Sequence, residues 1–168
     1  KYFDKENINS TFTGHPLLTY NNKSKIDISQ IVKNNKKIFS IFPGSRTSEI
    51  KVLTPILFNF VRMMNQKYKD LFFIFHSTTE HVEKIKELLI KEEFKNCAAI
   101  CDEKTKHQML KSSIFAVAKS GTISLEISNA KIPSVIIYKI NLINFLIIKT
   151  LAKVKFANII NIAANSEV

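Results

Sequence analysis

From residue 36 onward the apolar positions follow two rhythms. Short, mostly apolar runs occur at 37–42, 71–76, 98–101, 114–118 and 133–138. Runs of that length read as strands buried on both faces. Between them, apolar residues recur every three or four positions, the spacing of one helical face. The first such stretch is 48–68, with Ile50, Leu53, Leu57, Phe60, Val61 and Met64 on its apolar side. Pro55 lies inside it and is expected to kink the helix or delay its start. A second helix is predicted at 80–90, capped by Thr79, with Val82, Ile85, Leu88 and Leu89 inward. Shorter helices are predicted at 107–111 and 122–130, and a last long one at 142–153.

Strands that are apolar on both faces need a helical layer on each side. The pattern therefore predicts an α/β fold with a doubly wound, mostly parallel sheet. In such sheets ligands bind beyond the carboxyl ends of the strands. Residues 1–35 are polar, rich in Asn, Lys and Ser, and weakly periodic. They read as a linker leading into a domain that spans 36–168.

Charge changes this picture little. The net charge is +11, but Arg46 and Arg62 are the only arginines and the lysines are scattered. No basic block is interleaved with aromatics, so nucleic acid is not the expected partner. A solvated lysine surface is the plainer reading. Cys97 and Cys101 lie in or beside an apolar run without His or Cys partners at ligand spacing. They read as buried free thiols in a reducing compartment, and no metal is expected. No signal peptide is expected at the start. The greasiest stretch, 140–151, is interrupted by Asn141, Asn144 and Lys149 and is shorter than the about 20 residues a span requires. Its apolar face with basic edges suits either a core helix or contact with an anionic bilayer surface.

Candidate chemistry gathers at the glycines, of which there are three. Gly14 precedes His15 and Pro16, a pairing that fits a linker turn or a ligand contact equally well. Gly44 follows the first predicted strand in Phe42-Pro43-Gly44-Ser45-Arg46. That turn offers a hydroxyl, a helix N-terminus and a permanent cation to an anion. The longer glycine-lysine signature of a Walker loop is absent. Gly121 follows the fourth strand in Ser120-Gly121-Thr122, with Glu126 one helical turn later. Hydroxyls and amides at such a turn suit a diphosphate, and a carboxylate one turn on can hold two vicinal hydroxyls. The alternative is a helix cap. Tyr138 and Lys139 end the last strand on the same rim, where Lys139 either neutralises phosphate or is an ordinary strand-end lysine. His76 and His81 read as structural or exposed.

Taken in order, these residues resemble a family. Thr13-Gly14-His15-Pro16-Leu17, Phe42-Pro43-Gly44-Ser45-Arg46 with Glu49-Ile50, Ser120-Gly121-Thr122 with Leu125-Glu126, Pro133 with Val135 and Tyr138-Lys139, and Asn158 to Ala164 follow the order of the lipid-A-disaccharide synthases. The resemblance runs from Phe12 to the end. It implies an inverting, metal-independent glycosyltransferase of the GT-B architecture, of which this is the Rossmann-like, carboxy-terminal, nucleotide-sugar-binding half. The amino-terminal domain and a closing segment would then lie outside the chain.

The resemblance further implies a donor, UDP-2,3-diacylglucosamine, and an acceptor, 2,3-diacylglucosamine 1-phosphate. It implies no cofactor, and work in the cytoplasm at the inner membrane surface of a Gram-negative bacterium. The implied substrate-binding set is Gly44, Ser45, Arg46, Glu49, Ser120, Gly121, Thr122, Glu126, Tyr138, Lys139 and Asn161. Arg46 would hold the diphosphate or its sugar, the Ser120-Gly121-Thr122 turn the diphosphate, and Glu126 the ribose. The catalytic acidic residue belongs to the other half, so no catalytic residue is assigned and the chain alone is expected to be inactive. Ile160 stands in place of the family's proline before Asn161, and Asn165 in place of a glycine. Two alternatives remain at this stage. One is another GT-B enzyme, a peptidoglycan glycosyltransferase or a UDP-sugar epimerase. The other is a non-catalytic, basic, membrane-adhesive module.

Overall fold

The computed structural model describes residues 9, 11, 28–32, 36–139 and 161. The expected turn at Gly14 and His15, the helix at 142–153 and the neighbours of Asn161 lie outside the described residues. Among the described residues the elements alternate as the apolar rhythm predicts. They are β1 (Lys37–Phe42), α1 (Thr47–Lys67), β2 (Leu71–His76), α2 (Thr79–Lys91), β3 (Cys97–Ile100), α3 (Glu103–Ser112), β4 (Ser113–Lys119), α4 (Ile123–Asn129) and β5 (Ser134–Ile137). A 3-10 turn, Ile28–Gln30, precedes them.

The five strands form one sheet in the order β3-β2-β1-β4-β5, and every pairing is parallel. The chain winds outward from β1 to β3, then returns to lay β4 against the free side of β1. Between β1 and β4 the direction of winding reverses. Strand residues alternate between two cores. Phe39, Ile41, Phe73, Phe75 and Val117 face α1 and α2, packing on Leu57, Val61, Ile85 and Leu89. Ile38, Phe42, Phe72, Ile74, Ala116 and Ala118 face the other side, with Met109, Leu110 and Ile127. Val32, with Ile28 and Ile31 beside it, also packs into this second core. Ser40 is polar within an apolar strand and fully buried. Its hydroxyl bonds that of Ser113, which in turn donates to the Met109 carbonyl at 2.7 Å.

Pro55 does not delay the start of α1, which runs from Thr47 to Lys67. Losing one helical hydrogen bond and accommodating the ring costs about 3 kcal/mol. The same helix buries Ile50, Leu53, Leu57, Phe58 and Val61, each contributing about 1.5–3 kcal/mol, so burial wins. The α3 helix starts four residues before the predicted 107. Its first turn is polar, and Asp102 holds it by accepting from the Thr105 amide at 2.7 Å and the Thr105 hydroxyl at 2.8 Å. The N-cap of α2 is Thr78 rather than Thr79, without a side-chain capping bond.

Candidate functional site

Four strands deliver their carboxyl ends to one cavity of about 500 Å³, within the range of small-ligand sites. It lies at the reversal between β1 and β4, the place where an open α/β sheet leaves a crevice. Phe42, Gly44, Ser45 and Glu49 line it from the β1 side, and Lys119, Ser120, Gly121, Thr122 and Glu126 from the β4 side. His76, Ser77, Cys101, Glu103 and Lys106 complete the wall beneath β2 and β3.

The β1 turn is built around its own carboxylate. Gly44 has φ +113°, and a Cβ there would lie 2.5 Å from Glu49 Oε2. Only glycine suits that conformation and that approach. Glu49 Oε2 accepts from the Ser45 amide at 3.2 Å and the Arg46 amide at 3.4 Å. Lys119 Nζ reaches Glu49 Oε1 at 2.9 Å across the β1–β4 cleft. Partial burial pushes the Glu49 carboxyl up, but Lys119 and the two amides outweigh it and hold the carboxyl below the usual range. Two amides of the turn, those of Ser45 and Arg46, are therefore occupied by Glu49. Ser77 ties the turn to β2, its hydroxyl donating to the Gly44 carbonyl at 3.3 Å.

The β4 turn is open by comparison. A Cβ on Gly121 would meet nothing within 4 Å. Ser120 donates its amide to the Ile137 carbonyl at 2.9 Å, fixing the turn to β5. The Thr122 side chain makes no capping bond, so the capping-box reading of this motif is not realised. Glu126 faces the cavity with its carboxylate held by Lys106, whose Nζ lies 2.8 Å from Oε2 and 3.1 Å from Oε1. Lys106 also contacts Glu103 Oε2 at 2.6 Å. Burial pushes the Lys106 ammonium down, but the two carboxylates overcome this and raise its pKa.

Not every expected site residue joins this cavity. The Arg46 side chain is 79% exposed on the rim, with Nη1 3.7 Å from Glu49 Oε1. Tyr138 is half exposed, with Lys119 Nζ 5.9 Å from the centre of its ring. Lys139 is exposed beyond β5, and Asn161 is half-buried; neither lines the cavity. Among the described residues no group of three or more His, Cys, Asp or Glu is placed to hold a metal ion.

A model of the lipid-A-disaccharide synthetase family matches residues 1–168. The chain belongs to that family. It is 34% identical over 171 residues to the lipid-A-disaccharide synthase of Rickettsia prowazekii, covering 99% of this chain and 44% of that one. It is 28% identical over 169 residues to the enzyme of Sulfurihydrogenibium sp., covering 94% and 44%. The chain thus spans less than half the length of the curated relatives it matches. Two solved structures share the fold. The S. aureus MnaA–UDP structure has TM-score 0.55 at 21% identity, covering 88% of this chain and 40% of that one. UDP-GlcNAc 2-epimerase from Neisseria meningitidis, bound to UDP-GlcNAc, has TM-score 0.52 at 16% identity, covering 81% and 37%.

For this member of the family, three cavity residues escape a reading by motif. His76 ends β2 and its ring lies tilted at 50° against that of Phe42, 5.8 Å between ring centres. Burial, then the charge of Lys106, lowers its pKa to about 4, so the ring is neutral near pH 7. Lys119 sits one position before the Ser120 motif, in a chain where lysine carries little information. Lys106 left one signal. It lies three and four residues before Met109 and Leu110, on the buried side of α3. Among the described residues no helix is long and apolar enough to cross a membrane.

Proposed function

We propose that this chain is the UDP-sugar-binding part of a lipid-A-disaccharide synthase. The observation that carries the reading is one cavity at the sheet reversal, lined by both family motifs and by Glu126, in a chain matched by the family along its whole length. The neighbours solved with UDP and with UDP-GlcNAc share this fold and favour a uridine nucleotide here. Residues 36–168 form the nucleotide-sugar domain in this reading, and residues 1–35 lead into it.

In the reaction, an acceptor hydroxyl of 2,3-diacylglucosamine 1-phosphate attacks the anomeric carbon of UDP-2,3-diacylglucosamine. The new C–O bond forms as the bond from that carbon to the diphosphate breaks, with inversion. The hydroxyl proton goes to a base on the other half of the enzyme, and UDP leaves with the electron pair. This chain's share is to bind the donor and to stabilise the departing diphosphate. The Ser120-Gly121-Thr122 turn cradles the diphosphate, Lys119 and Arg46 supply positive charge, and Glu126 accepts the ribose hydroxyls. Because both substrates carry acyl chains, the enzyme works at the cytoplasmic face of the inner membrane.

The test is a UDP titration of the purified chain, wild type beside Glu126→Ala, by calorimetry. Saturable binding weakened about ten-fold or more by Glu126→Ala is expected, the effect of removing a hydrogen-bonded charged group. A folded wild-type chain that ignores UDP would sink the reading. Disaccharide formation by the chain alone is expected to be absent, and appreciable turnover would overturn the assignment of the base to the other half.

A further inference from the structure

Lys106 is the most costly residue in the cavity wall. A lysine is almost never fully buried unless it is paired, and Lys106 is 7% exposed. It stands on α3, a polar helix that reaches the cavity beside β4, and its ammonium crosses to Glu126 at the start of α4. The contact is to both carboxylate oxygens, at 2.8 and 3.1 Å, so it anchors the carboxylate and turns both oxygens toward Lys106. An ionised carboxylate has about four acceptor sites, and one ammonium occupies at most two of them. The Glu126 side chain keeps 17% exposure and lines the cavity, so acceptor capacity remains on the ligand side. Glu103 braces the ammonium from outside at 2.6 Å and is itself 72% exposed.

This matters for an anionic ligand. A bare carboxylate near a diphosphate would repel it. Lys106 offsets the charge of Glu126 at close range, while Glu126 still presents acceptor oxygens to the cavity. We propose that Lys106 is the positioning residue for diol recognition, gripping Glu126 so that its free acceptor sites face the cavity and take the two vicinal hydroxyls of a ribose. The inference rests on the nucleotide reading above and deepens it. Lys106 acts through Glu126 and need not touch the nucleotide.

The readout is the preference for UDP over 2′-deoxy-UDP, measured by calorimetry on the wild-type chain and on Lys106→Met, Lys106→Gln and Lys106→Arg. Circular dichroism and thermal unfolding establish which variants are folded. The wild type is expected to prefer UDP by about ten-fold, one charged hydrogen bond. In Lys106→Met and Lys106→Gln that preference falls toward one, with UDP losing most of the affinity. Lys106→Arg restores part of it, because a guanidinium can still span both oxygens. A purely structural lysine would weaken both nucleotides equally. An unchanged preference in a folded Met or Gln variant overturns the proposal. So does tighter UDP binding, which would mean that Lys106 sequesters Glu126. If Met and Gln both fail to fold, an Arg variant without any preference overturns it. Wild type that binds neither nucleotide brings down the nucleotide reading and this inference together, whereas wild type that binds UDP with equal taste for the deoxy form overturns this inference alone.

Discussion

Two glycine turns stand on one rim, and they use glycine for opposite reasons. At Gly44 the backbone is in a conformation few other residues adopt, and the space beside it is filled by Glu49. The turn is closed on itself: carboxylate, two amides and Lys119 satisfy one another. At Gly121 nothing of the protein occupies the space a side chain would take. The first glycine answers to the fold. The second leaves room at the mouth of the cavity. In sequence both are a small residue, a hydroxyl and a helix start, so the distinction arises from what packs against each.

The sharpest way to break this contrast is to add one methyl group to each turn. Gly44→Ala forces a strained φ and a clash at 2.5 Å with Glu49, and should cost upwards of about 3 kcal/mol in urea unfolding. Gly121→Ala should change stability by less than about 0.5 kcal/mol, yet weaken UDP binding. If the two variants lose stability alike, the contrast fails.

Acid sharpens it from the cavity floor. The folded pKa of His76 lies near 4 and its ordinary value is 6.5, so the unfolded chain binds the proton first as pH falls. His76 therefore leaves stability intact above about pH 6.5 and withdraws about 3 kcal/mol between there and pH 4. Urea midpoints at pH 7 and pH 4.5 should separate clearly for wild type, and much less for His76→Phe. An equal separation would mean that His76 protonates without penalty.

A smaller loss than those at Gly44 and His76 comes from the closed turn's own carboxylate. Glu49→Gln removes the charge that holds Lys119 and weakens two amide bonds, for about 1 kcal/mol. Its folded pKa is lowered, so this stability is present above the ordinary value of 4.5 and lost as pH falls below it. Wild type and Glu49→Gln should accordingly converge in strongly acidic solution, where thermal unfolding would compare them. A gap that persists there would assign the effect to shape and not to charge.

The strands were the most legible part of the chain. Runs such as 37–42 and 71–76 are mostly apolar because helices cover both faces, and β1 and β2 have those bounds. Helix ends were less legible. Asp102 starts α3 through a hydrogen bond to a threonine three residues on, in a stretch with no apolar face to betray it. Pro55 misleads about where α1 starts because its penalty is local and the burial that overrides it is spread over the whole of α1. Within the site, Gly44, Ser45, Glu49, Ser120, Gly121, Thr122 and Glu126 were legible as motifs and converge on one cavity. His76 and Lys106 were not, since their importance lies in neighbours from other elements. Arg46 drew notice as a rare arginine, and its side chain stands exposed on the rim beside Glu49.

The order of the strands also sets when the cleft comes into being. Phe42 lies beside Ala118, and the chain between them must first lay down β2 and β3. Closing so long a loop is entropically harder than pairing β1 with β2, where Ile41 meets Phe75. A chain emerging from the ribosome can thus assemble β1, α1, β2, α2 and β3 and still possess only one wall of the cavity. The other wall belongs to β4 and α4, which set Lys119 against Glu49 and Glu126 against Lys106.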